Sequence, residues 1–98
     1  MEFLVRIHVH LPPDLDARVR DELLARELQR GRELRGAGTI RHIWRLPGAL
    51  ANVGVWETED ATALHEALAS LPVFAWTTIE VTPLARHPST GGPDGSGD

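Results

Sequence analysis

Glu27 is the residue whose type and setting most suggest chemistry. At roughly 100° per residue, Val19, Leu23, Leu24, Leu28, Gly31 and Leu34 fall within about half the circumference of one helix, and Glu27 stands near the middle of that arc. Arg20 is the other charged residue at its centre, while Arg18, Asp21, Glu22, Arg26, Gln29, Arg32 and Glu33 lie outside it as a solvated side. A carboxylate turned toward an apolar interior is costly to keep charged unless it is paired, so its pKa is expected to rise toward the range that suits proton transfer. A structural role fits the same position. Arg20 two turns away, or Arg6 or Arg45 from neighbouring strands, would make a buried ion pair with Glu27 and leave no free base.

Other chemistries find less support. There is no Cys, which removes disulfides, thiolate metal sites and cysteine nucleophiles together. His8 and His10 share one strand face, yet no third ligand accompanies them, so no metal is expected. His65 flanks the apolar stripe of a second helix and reads as a surface or interface residue. All ten basic residues are Arg, the net charge is -4, and no basic cluster is long enough to track a phosphate backbone, which argues against nucleic acid. No stretch approaches the roughly 20 apolar residues of a membrane span, and the N-terminus lacks a secretory pattern. A cytoplasmic protein is expected.

The elements that must position Glu27 are marked by local signals. Residues 2–10 alternate, with Phe3, Val5, Ile7 and Val9 on one side, which is the period of a strand. Pro12-Pro13 ends it, Asp14 or Asp16 offers an N-cap, and residues 15–35 form one long helix stopped by Gly36 and Gly38. Residues 39–46 and 50–57 are β-rich runs joined at Pro47-Gly48, a tight-turn pair, and predict an antiparallel hairpin. Asp60 caps a second helix whose stripe is Ala61, Leu64, Leu68 and Leu71, with Pro72 as its stop, and residues 76–84 make a last strand. The order strand, helix, strand, strand, helix, strand is the ferredoxin-like α+β arrangement, with two helices on one face of an antiparallel sheet.

With 98 residues the chain makes one domain, expected over 1–88, followed by a flexible tail over 89–98 rich in Ser, Thr, Gly, Pro and Asp. Five aromatics, none of them Tyr, are a thin provision for a core. The uncovered sheet face would be buried against a second copy of the same sheet, so a homodimer forming an α+β barrel is the expected minimum.

The sequence also resembles a known family. The run Val9-His10-Leu11-Pro12-Pro13-Asp14-Leu15-Asp16, then Arg41-His42-Ile43-Trp44-Arg45-Leu46, Gly48, Ala51-Asn52, Ala63-Leu64-His65, Leu71-Pro72, Ile79-Glu80-Val81-Thr82-Pro83-Leu84 and Arg86-His87-Pro88-Ser89 is similar, in order and spacing, to the muconolactone Δ-isomerase family. The likeness covers nearly the whole chain. It implies a ferredoxin-like subunit, sheet-to-sheet dimers that assemble into a ring such as a decamer, no metal or organic cofactor, and an acid/base glutamate on the first helix at the position of Glu27. The implied reaction is a 1,3-proton shift in a small unsaturated lactone, from muconolactone to 3-oxoadipate enol-lactone in the β-ketoadipate route of aromatic catabolism. By motif position His42, Trp44 and Asn52 are expected in the substrate pocket, with Arg45, Arg86 or His87, from this chain or its neighbour, as partners for the substrate carboxylate. The run Arg86-His87-Pro88 also reads as an oligomer latch.

The sequence departs from the family at the hairpin, where Ala49, Leu50 and Val53 stand in place of His and Tyr side chains, and at Ile40, in place of Trp. Leu50 is therefore expected to line a more apolar pocket, which suits a larger or more hydrophobic substrate. Two further readings follow: a relative that isomerises, cyclises or dehalogenates another unsaturated carbonyl compound, and a non-catalytic dimeric scaffold that binds a small ligand or another protein, with Glu27 in an ion pair.

Overall fold

The computed structural model describes residues 1–89. Its elements run β1 (Glu2–Val9), α1 (Ala17–Gly36), β2 (Ile40–Arg45), β3 (Ala51–Glu57), α2 (Ala61–Ala69), a 3-10 turn (Phe74–Trp76) and β4 (Thr77–Leu84). The expected order is all there, with edges moved by one or a few residues and one added turn. The four strands form a single antiparallel sheet in the order β2-β3-β1-β4, which is the ferredoxin-like arrangement. Most of the expected tail, residues 90–98, lies outside the described residues.

Burial on β1 alternates as its sequence does. Phe3, Val5 and Ile7 are buried, and Glu2, Leu4, Arg6 and His8 are exposed. The buried set joins Leu34 of α1, Leu64 and Leu68 of α2, Leu71, Ile40 and Trp56 in one core, so both helices cover the same sheet face. The other face is left open and carries Leu4, Trp44 and Leu84, all substantially exposed. Among the described residues no helix is long and apolar enough to cross a membrane.

Capping sets where α1 begins and ends. Of the two candidate aspartates, Asp16 is the cap: it accepts from the backbone N–H of Arg18 (3.0 Å) and Val19 (3.3 Å), two donors with no partner inside the helix. The chain turns just before it, where the Leu15 N–H donates to the Pro12 carbonyl, and this leaves Asp14 and Leu15 outside the helix. Gly36 is still helical. The stop is at Gly38, whose φ of 80° closes a pair of bonds from Gly38 to Arg35 and from Thr39 to Leu34.

Asp60 caps α2 by accepting from the Ala63 N–H at 2.8 Å. That helix ends at Ala69, three residues ahead of Pro72, because the Ser70 N–H closes back on Glu66 and Ala67. Of its predicted stripe Leu64, Leu68 and Leu71 are buried, while Ala61 in the first turn is exposed. The segment that follows makes the 3-10 turn before β4, with the Thr77 hydroxyl donating to the Phe74 carbonyl, and so β4 starts one residue later than its β-rich run.

One irregularity decides what faces the helices. Ile40 pairs with Trp56 and His42 with Val55, so β2 carries an extra residue, a β-bulge, between Ile40 and His42. Beyond it Ile43 and Arg45, not His42 and Trp44, share a face with Ile40. Next to the bulge, opposite Ile43, stands Gly54, where a Cβ would meet the His42 carbonyl oxygen at 2.5 Å. The β2–β3 pairing therefore requires glycine at that position.

Candidate active site

Above the helix-covered face a cavity of about 280 Å³ opens between α1 and the hairpin end of the sheet. Its floor is the row Arg45, Asn52 and Ile7, which pair across β2, β3 and β1, with Val9 beside them. α1 supplies Leu24, Glu27 and Leu28, the hairpin supplies Leu50 and Ala51, and Val73 closes the side after α2. The lining is mostly apolar with three polar side chains, Glu27, Arg45 and Asn52, as in sites that orient a small ligand by a few contacts.

Glu27 is half-buried, and its carboxylate accepts one hydrogen bond, from the Val73 backbone N–H at 3.2 Å. Removal from water pushes its pKa above the ordinary glutamate range, and the Val73 N–H opposes that rise only in part. None of the three arginines that could have paired with it does so: Arg20 lies 3.6 Å from Asp21, Arg6 lies 3.9 Å from Glu80, and Arg45 has no carboxylate partner among the described residues. The ion-pair arrangement is therefore not the one adopted. A partly desolvated carboxylate with no ion-pair partner, in a ligand-sized cavity, is a setting suited to proton transfer.

The raised pKa carries a stability signature. The native state holds the Glu27 proton more tightly than the unfolded chain, so the associated stabilisation is complete below the unfolded value near 4.5 and is lost as pH rises through the raised native value. Glu27→Gln is expected to remove this dependence. Urea midpoints across that window should fall more for the wild type than for the variant, and parallel profiles would contradict the assignment.

Asn52 is the second informative group. Its Oδ1 is buried with no hydrogen-bond partner among the described residues, a condition that buried amides rarely tolerate. It lies on the cavity floor, where only a hydrogen-bond donor, such as a water or a ligand O–H, would satisfy it.

The structure brings Glu27, Asn52, Arg45 and Leu50 together and does not bring His42, Trp44 or Arg86 to them. His42 and Trp44 stack on each other, ring centroids 5.8 Å apart, on the open sheet face. Strict alternation from buried Ile40 would have turned both toward the helices, and the bulge reverses that parity. Arg86 lies in the exposed stretch after β4, as does His87, whose Nδ1 accepts from the Ser89 N–H. His8 and His10 stack at 4.3 Å, and among the described residues no three metal-ligating side chains gather. His65 is exposed and meets Phe74 edge-on.

The contribution of Val73 was not visible in sequence, because a backbone N–H leaves no compositional trace. Ile7 and Val9 lie on the face that alternation gives them, and alternation does not distinguish a cavity wall from the core.

The chain is similar to known proteins along nearly its whole length. The family model described as muconolactone delta-isomerase matches residues 1–90. Muconolactone Delta-isomerase 1 of Acinetobacter lwoffii is 44% identical over 90 residues, covering 92% of this chain and 94% of its own. Muconolactone Delta-isomerase of Rhodococcus opacus is 42% identical over 87 residues, covering 89% and 94%. A crystal structure of muconolactone isomerase superposes with a TM-score of 0.88 at 40% identity, covering 96% of this chain and 98% of that one. A 5-chloro-2-hydroxyhydroquinone dehydrochlorinase from Burkholderia phenoliruptrix, at 17% identity and a TM-score of 0.68, shares the fold. Matched along almost its whole described length by the family model and by these relatives, this chain belongs to the muconolactone delta-isomerase family.

Proposed function

We propose that this chain isomerises muconolactone to 3-oxoadipate enol-lactone, with Glu27 as the single acid/base. The observation that carries the reading is the unpaired Glu27 carboxylate within a cavity of ligand size, in a chain of this family. In the forward direction the carboxylate takes the proton from the ring carbon beside the lactone oxygen. The electron pair of that C–H bond forms a new ring double bond, the old double bond shifts, and negative charge collects on the carbonyl oxygen as a dienolate. Glu27, now protonated, returns a proton to the carbon next to the carbonyl, and the carbonyl re-forms. No electrons are gained or lost overall, so the step needs only a base of suitable pKa and donors for the transient oxyanion.

Asn52 and Arg45 supply those complements. The Asn52 side-chain N–H₂, on the cavity floor, donates to the dienolate oxygen, and the Arg45 guanidinium holds the substrate carboxylate. Leu24, Leu28 and Leu50 limit the water around the reacting carbons. The open sheet face, with Trp44, Leu4 and Leu84, is covered by a second copy of the chain, giving a homodimer at least, and the family likeness extends this to a ring such as a decamer. His42, Trp44 and Arg86 belong to that assembly rather than to the cavity of their own subunit.

Incubation with muconolactone tests the function directly. Substrate should disappear as enol-lactone forms, and kcat/KM should fall on the acid side along a one-proton limb centred above the ordinary glutamate value. No conversion by the folded chain would remove the reading.

A further inference from the structure

The Glu27 cavity does not end at the hairpin. A second cavity of about 310 Å³ lies against Leu11, Pro12, Pro13 and Leu15 and shares two wall residues, Leu24 and Leu50, with the first. Its one cation is Arg20. Arg20, Leu24 and Glu27 are spaced i, i+4 and i+7 on α1, so they lie on one stripe, with Arg20 two turns and about 10 Å toward the N-terminus from Glu27 at about 1.5 Å per residue. Side chains on a helix lean toward its N-terminus, which carries the guanidinium further from Glu27 and into the second cavity.

We propose that the two cavities form one bipartite cleft and that Arg20 is a second anion subsite, admitting lactone acids whose carboxylate sits at the end of a long hydrocarbon arm. This deepens the proposed function and rests on the lactone ring reacting beside Glu27. A carboxymethyl arm is too short to pass the two leucines, and its charge is met by Arg45 in the first cavity. A longer arm lies between Leu24 and Leu50 and then along Leu11 and the rigid Pro12-Pro13 wall, all apolar, before its charge reaches Arg20. Arg20 can receive it. The guanidinium is half-exposed, and its contact with the adjacent Asp21 is long, at 3.6 Å, a surface pair that contributes little and is readily exchanged for a ligand carboxylate.

The test uses saturated γ-butyrolactones, which cannot undergo the proton shift and so report binding independently of turnover. Titration calorimetry compares a carboxyhexyl lactone with its methyl ester on the full chain and on Arg20→Ala, Arg20→Lys and Arg45→Ala. The acid is expected to bind Arg20→Ala about 10-fold more weakly than wild type, with part of the loss recovered in Arg20→Lys and the ester bound alike by both. Equal affinity of wild type and Arg20→Ala for the acid overturns the subsite, as does an equal loss for acid and ester, or a charge-selective loss in Arg45→Ala alone. If Arg20-dependent binding is found in a chain that fails to isomerise muconolactone, the proposed function falls and the subsite stands.

Discussion

Glu27→Gln is expected to lower kcat for lactone isomerisation by about 10³-fold, the scale of a positioned acid/base group. Glutamine matches glutamate in shape and keeps an oxygen to accept the Val73 N–H, so the 3.2 Å contact that orients the side chain survives. What it loses is basicity, since a neutral amide cannot take a proton from carbon. KM should change little, because the cavity wall is unaltered. A parallel rise in KM with kcat preserved would instead make Glu27 a binding group. At neutral pH the variant should be at least as stable as the wild type, because a partly desolvated charge has been removed. Steady-state rates with circular dichroism and sizing of both proteins check each part.

The largest expected stability effect is at the other end of the sheet. Trp56 is 1% exposed, pairs with Phe3 and Ile40 across the two neighbouring strands, and is one of the largest side chains in the core. Trp56→Ala is expected to cost about 3 to 5 kcal/mol, a large share of what a domain this small possesses. Its indole N–H bears on the comparison, because it is buried without a hydrogen-bond partner among the described residues, a condition worth about 1 to 3 kcal/mol against the fold. Trp56→Phe removes that orphan donor while keeping most of the apolar volume, so it should cost less than half as much as the alanine change. Urea unfolding at matched protein concentration measures both. Equal losses would show that the indole N–H has found a partner.

Signals that act over a few residues carried most of the fold. The alternation of Phe3, Val5 and Ile7, the aspartates at 16 and 60, and the Pro47-Gly48 turn each state a local preference that tertiary packing then confirmed. Glu27 was legible as a candidate because a charge interrupting an apolar stripe has few explanations, whereas Asn52 came from motif position in the family resemblance. His42 and Trp44, expected in the pocket by motif position, lie on the open sheet face of their own subunit. Successive residues of that run point to opposite faces, and the bulge between Ile40 and His42 sets which set faces the helices, a feature of the β2–β3 pairing that neither strand's sequence spells out. The Arg20 cavity was hidden differently: Arg20 stood out as a charge on the apolar arc, but the Pro12-Pro13 wall facing it is brought there only by folding.

Proton NMR of muconolactone in D₂O, with wild type and Glu27→Gln side by side, tests the central claim most directly. With wild type, product should carry deuterium on the carbon next to the carbonyl as the substrate signal decays, because protonated Glu27 exchanges with solvent before returning its proton. With Glu27→Gln, neither isomerisation nor exchange should exceed the uncatalysed rate by more than a small factor. Deuterium incorporation by a folded Glu27→Gln variant at a rate near that of wild type would show that another group carries the proton.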